Sequence, residues 1–239
     1  MNETTAPLTI RQLFDADSST YSYLLADPVT REAVLIDPVR EQVGRDARLI
    51  EELGLTLTHT FETHVHADHV TGSSALRDRF GSRSVVSATA GPGCADVYVK
   101  NGDTIALGRF DIEARATPGH TIGCVTYVVR DGDRTFAFSG DALFVRGCGR
   151  TDFQGGDART LYRSVHDEIF SLPDDTIVYP GHDYRGHTAT TVAEEKRHNP
   201  RLSGSEDAFV AIMDRLELAN PRRMDVAVPA NLACGKAAS

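Results

Sequence analysis

Short runs of alternating or β-branched residues, separated by Gly, Pro, Asn and Asp, make up most of the chain before Gly181. Such runs between turn residues predict β-strands. We expect strands at 8–14, 21–25, 33–36, 55–60, 84–88, 104–107, 110–116, 125–130, 135–139 and 176–179. They fall into two blocks, which indicates two sheets.

Helical periodicity appears beside each block. Val43, Ala47, Ile50 and Leu53 recur at helical spacing, and Gly54 ends the run. Similar patterns predict helices at 73–80, 158–172, 190–198 and 206–218. We therefore expect an α+β fold in which two mixed sheets pack face to face as a sandwich and helices cover them. Because the composition shows no break, residues 1–239 are expected to form a single domain.

The composition is that of a globular protein, with 41% hydrophobic and 25% charged residues. The formal net charge of -9 repels a nucleic-acid backbone and an anionic membrane, so we expect neither as a partner. No apolar run is long enough to span a bilayer, and the first residues lack the pattern of a signal peptide. These features predict a soluble, cytoplasmic protein. The protein could also assemble as a homodimer.

The four cysteines are Cys94, Cys124, Cys148 and Cys234, and no two form a C-x-x-C pair. Such wide spacing is more typical of a reducing compartment than of a disulfide framework. We expect Cys148 and Cys234 to serve packing rather than catalysis, because neither has a general base beside it in the sequence.

Segment 63–69 (THVHADH) carries the densest chemical signal. His64, His66, Asp68 and His69 are four potential metal ligands directly after a predicted strand. Closely packed imidazoles and carboxylates are costly to bury unless a cation gathers them, so the segment predicts a metal site.

Three later strand ends also carry a potential metal ligand. His120, Asp141 and His182 each follow a glycine at the end of a predicted strand. Glycine allows a sharp turn there, which aims the next side chain into a shared cleft. Ligand counting leaves two zinc ions and a single iron ion both open.

These motifs resemble those of the metallo-β-lactamase superfamily, which implies an αβ/βα sandwich with the metal at one edge of two facing sheets. In hydrolases of that superfamily, such as glyoxalase II, seven such residues hold two metals. The resemblance would assign His64, His66 and His120 to one metal. It would assign Asp68, His69 and His182 to the other, with Asp141 bridging the two.

The surrounding segments are more specific, because they resemble those of persulfide dioxygenases, also called sulfur dioxygenases. The matching strings are SGDALF (139–144), RGCGRTDFQ (146–154), GHDY (181–184) and VPANLACG (228–235). The likeness extends from near residue 9 to residue 235. Glyoxalase II is expected to have a longer helical region after His182 than this chain does.

The persulfide dioxygenase resemblance implies one iron(II) per chain, held by His64, His120 and Asp141. Such a 2-His-1-carboxylate set leaves open positions on the metal for a substrate sulfur and dioxygen. His66, Asp68, His69 and His182 would then orient the ligands or hold water.

The same resemblance implies that Arg150 and Tyr184 bind the glutathione part of the substrate. A guanidinium can hold a carboxylate through two parallel hydrogen bonds, and a phenol can donate to the sulfur or to the glutathione backbone. A structural salt bridge for Arg150 and simple packing for Tyr184 stay open as alternatives.

The sequence thus predicts an iron(II)-dependent persulfide dioxygenase. It would convert glutathione persulfide, O2 and water into glutathione and sulfite. Two other hypotheses stay open. One is a dizinc thioester hydrolase of the glyoxalase II type, and the other is a metal-binding or sulfur-sensing module without activity.

Overall fold

Two six-stranded sheets form the centre of the computed structural model, which describes residues 6–89 and 92–236. The first sheet contains, in spatial order, β1 (Thr9–Asp15), β2 (Thr20–Ala26), β3 (Glu32–Ile36), β4 (Thr56–Phe61), β5 (Arg83–Ser87) and β6 (Val97–Val99). The second contains β7 (Thr104–Leu107), β8 (Phe110–Ala116), β9 (Val125–Asp131), β10 (Arg134–Gly140), β11 (Ile177–Pro180) and β12 (Thr190–Thr191).

Both sheets are mixed, as the sequence predicts. The first is antiparallel from β1 to β3 and parallel from β3 to β6. The second is antiparallel except for the parallel pair β10–β11. The helices are α1 (Val43–Glu52), α2 (Ser73–Phe80), α3 (Ala158–Ser164), α4 (Val192–His198), α5 (Glu206–Met213) and α6 (Met224–Leu232). A π-helical turn at Val165–Ile169 continues α3.

The core has three layers. Tyr23, Phe61 and Tyr127 belong to the cluster between the sheets. The other face of the first sheet packs against α1 and α2, and the other face of the second sheet packs against α3, α4 and α5. Every residue of β2 is buried, since alternate side chains of a strand point to opposite faces and both faces are covered here.

Some elements differ from the sequence prediction. Helix α6 was not expected, because it contains Pro229, which cannot donate a backbone hydrogen bond and rarely lies inside a helix. Strand β6 was also not expected. The helix predicted at 190–198 begins only at Val192, since Thr190 and Thr191 form the edge strand β12, and the helix predicted at 206–218 ends at Met213. No helix in the described part of the chain is long and apolar enough to cross a membrane.

The expectation that the cysteines form no disulfide is wrong for one pair. Cys94 and Cys234 are disulfide-bonded, although 140 positions separate them in the sequence. Spacing rules could not detect a pair that only the tertiary fold brings together. The wide spacing of the cysteines therefore no longer supports a reducing compartment. Cys124 and Cys148 are free and buried, and burial raises the pKa of the Cys148 thiol to about 11.

The disulfide should stabilise the fold measurably. Cys94→Ser is expected to lower the free energy of unfolding by about 2–5 kcal/mol, because a cross-link that closes a long loop restricts the unfolded chain. Urea unfolding curves of the oxidised wild type and the variant give the comparison. Reductant should shift the wild type towards the variant and leave the variant unchanged. Identical wild-type curves with and without reductant would show that the bond contributes nothing.

Candidate metal centre

The loops that follow β4, β8, β10 and β11 bring the predicted ligands together. Segment 62–72 after β4 contributes His64, and the loops after β8 and β10 contribute His120 and Asp141. One ligand atom from each of these three residues lies within 4.8 Å of the others. All three residues are buried, with 5–8% of their surface exposed. The structure therefore places the three residues of the predicted iron triad side by side.

The two histidines of this triad already use their Nδ1 atoms. The Nδ1 of His120 lies 2.7 Å from the carbonyl oxygen of Arg150, and the Nδ1 of His64 lies 3.0 Å from Thr63 Oγ1. We assign the Nδ1–H tautomer to both rings on this basis, which leaves Nε2 as the metal-binding atom. Burial is the main factor that lowers the pKa of His64 well below its usual value, so its imidazole is neutral and keeps a lone pair.

Asp141 completes a set of donors that fits a metal ion. Its Oδ1 atom is buried and accepts no hydrogen bond, and its Oδ2 lies 3.5 Å from the Nε2 of His120. A buried carboxylate oxygen without a partner is costly unless a cation neutralises it. Two imidazole nitrogens and this carboxylate suit a first-row transition metal.

Gly140 positions Asp141 by allowing a close approach between the two sheets. Its φ is +50°, which favours glycine. A Cβ atom there would lie 2.5 Å from the Oγ1 of Thr63, the residue that contacts His64. A larger residue at this position would therefore disturb two ligands together.

His182, Asp68 and His69 lie next to the triad and contact one another. The Nε2 of His182 is 3.5 Å from Asp141 Oδ1 and 3.8 Å from Asp68 Oδ2. The same Asp68 oxygen lies 2.8 Å from the Nδ1 of His69 and accepts a hydrogen bond from Thr20 Oγ1 at 2.9 Å. Ligand atoms of His66, Asp68 and His69 also come within 4.8 Å of one another.

His66 has a different environment from the other histidines. Its Nε2 lies 3.0 Å from Asp37 Oδ1 and 3.6 Å from Glu62 Oε2. Burial by itself would lower the pKa of this imidazole, but the carboxylates of Asp37, Asp68 and Glu62 outweigh that effect and raise it to about 10. The Nε2 of His66 thus lies between two carboxylates.

Two residues that support the site were not predicted from the sequence. Asp37, at the end of β3, accepts hydrogen bonds from the backbone N–H of Thr63 at 2.7 Å and from its hydroxyl at 2.8 Å. Asn231 in α6 donates to the carbonyls of His66 and His69, and its Oδ1 accepts from the N–H of Thr71. Asp37 could have been found from its position at a strand end, directly before Pro38. Asn231 lies in the string VPANLACG (228–235), which resembles persulfide dioxygenases. It is far from segment 63–69 in the sequence, so nothing local connected it with the metal site.

A cleft of about 820 Å³ opens above the triad and contains both predicted substrate-binding residues. Tyr184 is 73% exposed, and its ring is parallel to that of His182. Arg150 is more constrained, because its guanidinium forms a bidentate pair with Asp152 at 2.6 Å. It also donates to the carbonyls of Leu218 and Ala219.

Comparisons with known proteins agree with this architecture. The metallo-β-lactamase superfamily pattern matches residues 16–182. The mitochondrial persulfide dioxygenase ETHE1 of Homo sapiens is 55% identical over 231 residues, which cover 96% of this chain and 90% of that protein. The crystal structure of ETHE1 from Myxococcus xanthus is 55% identical and superposes with a TM-score of 0.91, covering 95% of this chain and all of that one.

A more distant structure, TTHA1623 in a di-iron-bound form, is 27% identical. It has a TM-score of 0.64 and covers 80% of this chain and 98% of its own. The likeness to the two ETHE1 proteins is much closer and extends beyond the superfamily pattern to nearly the whole chain. The protein thus belongs to the persulfide dioxygenase family within the metallo-β-lactamase superfamily.

Proposed function

We propose that this protein is an iron(II)-dependent persulfide dioxygenase that acts on glutathione persulfide. The overall reaction balances as one persulfide, one O2 and one water giving one glutathione and one sulfurous acid, which ionises to sulfite. The observation that supports it best is the buried cluster of His64, His120 and Asp141, a 2-His-1-carboxylate set beneath an open cleft. Family membership supports the same reaction.

Iron(II) bound by this triad would supply open coordination positions at which the persulfide sulfur and dioxygen meet. The protein's own residues hold that centre rigid. Arg150 O and Thr63 Oγ1 fix the orientation of the two imidazoles, and Asp37 in turn holds Thr63. Tyr184, at the cleft, places a phenol where it can donate to the substrate. Arg150 has most of its N–H groups in use, so we propose that it contributes a single hydrogen bond to glutathione.

The dizinc hydrolase hypothesis requires His66 to bind a metal together with His64 and His120. In this structure His66 instead contacts Asp37 and Glu62, and its pKa is raised to about 10. This arrangement supports His64, His120 and Asp141, rather than His66, as the residues that hold the metal. His66, Asp68, His69 and His182 are proposed to surround the metal and orient its ligands, as the sequence predicts.

His69→Ala tests the number of metals. We expect the variant to keep about one iron per chain, because His69 is not one of the three proposed ligands. Metal analysis of wild type and variant, both purified after expression in iron-supplemented medium, measures this directly. A wild-type content of two metals that falls to one in the variant would support the hydrolase instead.

The function itself is tested by metal analysis combined with oxygen uptake. We expect about one iron per chain, with sulfite formed in step with the oxygen consumed when glutathione persulfide is added. Two zinc ions with cleavage of a glutathione thioester would favour the hydrolase. Metal binding without turnover of either substrate would favour the sensing module.

A further inference from the structure

The cleft above the metal site is rich in arginine although the chain as a whole is acidic, with a formal net charge of -9. Six arginines line it: Arg146, Arg150, Arg185, Arg201, Arg222 and Arg223. A guanidinium that is already paired with a protein carboxylate has fewer free N–H groups and a compensated charge, so it holds another anion less strongly. The partners of these six residues therefore decide which of them can recognise substrate.

Four of the six have acceptors of their own. Arg146 pairs with the buried Glu195, and Arg223 lies 2.7 Å from Glu41. Arg150 pairs with Asp152, as described above. Arg201 donates to the carbonyl oxygen of Cys148 at 3.1 Å. These side chains shape the wall of the cleft.

Arg185 and Arg222 differ from the other four. Both are exposed to the cleft, and within residues 6–89 and 92–236 neither guanidinium has a hydrogen bond or an ion pair to the protein. Two positive charges thus face the opening without compensation. An anionic ligand could bind to them without displacing any protein group.

The backbone that carries each of these two arginines is held in place. Asp183 Oδ2 accepts hydrogen bonds from the N–H groups of Arg185 and His187, each at 2.7 Å, which fixes the turn that presents Arg185. Arg222 follows the segment whose carbonyl at Ala219 accepts a 2.8 Å bond from Arg150. Arg150 therefore fixes the segment from which Arg222 projects.

We propose that Arg185 and Arg222 bind the two carboxylates of the glutathione part of the substrate, and that Arg150 acts mainly as a positioning residue for the Arg222 segment. Glutathione is a tripeptide with a carboxylate near each end and its sulfur between them. Two free guanidiniums in one cleft match that arrangement of charge, and a guanidinium can hold a carboxylate through paired hydrogen bonds. The inference rests on the proposed function for its substrate, but it concerns other residues than the metal ligands.

The test compares Arg185→Gln, Arg222→Gln and the double variant on two substrates. One is glutathione persulfide, and the other is 2-hydroxyethyl persulfide, which has no carboxylate. We expect each single change to raise KM for glutathione persulfide about tenfold and the double change to raise it roughly a hundredfold. The value of kcat should change little, because the carboxylates are remote from the reacting sulfur. Kinetics on 2-hydroxyethyl persulfide should stay within about twofold of wild type.

Arg223→Gln is the matched control, because Arg223 is adjacent to Arg222 and lines the same cleft but is paired with Glu41. Its KM for glutathione persulfide should match wild type. If wild type consumes oxygen and the double variant keeps its KM, the inference is wrong. Equal losses on both substrates would also overturn it, since they would show a structural role.

Failure of the proposed function would be a different result, namely no oxygen uptake by wild type with either persulfide. In that case the affinity for glutathione itself, measured by calorimetric titration of wild type and the double variant, still tests the inference. Weaker binding of glutathione by the double variant supports it, and equal affinity overturns it.

Discussion

Replacing His120 by alanine is expected to remove most of the iron and nearly all of the oxygen uptake. Its Nε2 is one of three proposed ligand atoms, and its Nδ1 is fixed by Arg150 O. Even residues that only support a ligand commonly cost about 10–100-fold in metal affinity or activity, so loss of a ligand should cost more than about a hundredfold. Metal analysis and oxygen-electrode measurements on the purified variant provide the test.

His198→Ala is the matched control, because His198 is an exposed residue in the last turn of α4 and outside the donor cluster. It should keep wild-type iron and turnover. Circular dichroism should show that both variants are folded, since the His120 side chain lies in a loop at the edge of the core. Wild-type iron content and turnover in His120→Ala would refute the ligand assignment.

The metal ligands could be predicted from the sequence because each lies in a short local pattern. His64 belongs to a cluster of ligands directly after β4, and His120 and Asp141 each follow a glycine at a strand end. Local turn geometry is encoded in adjacent residues, so it can be inferred from them. The two sheets were predictable for a similar reason, since alternation and turn residues recur along the chain.

The supporting contacts could not be predicted in this way because they join distant parts of the chain. Asn231 reaches the carbonyl of His66 across 165 positions, and the disulfide between Cys94 and Cys234 spans 140. Neither contact leaves a spacing pattern in the sequence. The pairing of Arg150 with Asp152 was different, since the two residues are only two positions apart. There the sequence showed both partners but not that the pair would occupy the guanidinium.

The turn that contains Gly149 offers a second change with a large expected effect. A Cβ atom at this position would lie 2.5 Å from the carbonyl oxygen of Asp141, 2.8 Å from His120 Nδ1 and 2.9 Å from His120 Cγ. Contacts that short are not tolerated, so the imidazole or the backbone must move. The next residue, Arg150, supplies the carbonyl that orients His120, which means that a shift of this turn displaces the ring in either case.

Gly149→Ala should therefore weaken metal binding and lower oxygen uptake by about tenfold or more, and overpacking should reduce the free energy of unfolding by about 1–3 kcal/mol. Gly147→Ala is a control in the same turn, because the nearest atom to its added Cβ is Phe144 Cβ at 3.8 Å, an ordinary contact. Iron titrations followed by oxygen uptake should separate the two variants. If Gly149→Ala binds iron and turns over like Gly147→Ala, the close packing of Gly149 against His120 is not what holds the ligand in position.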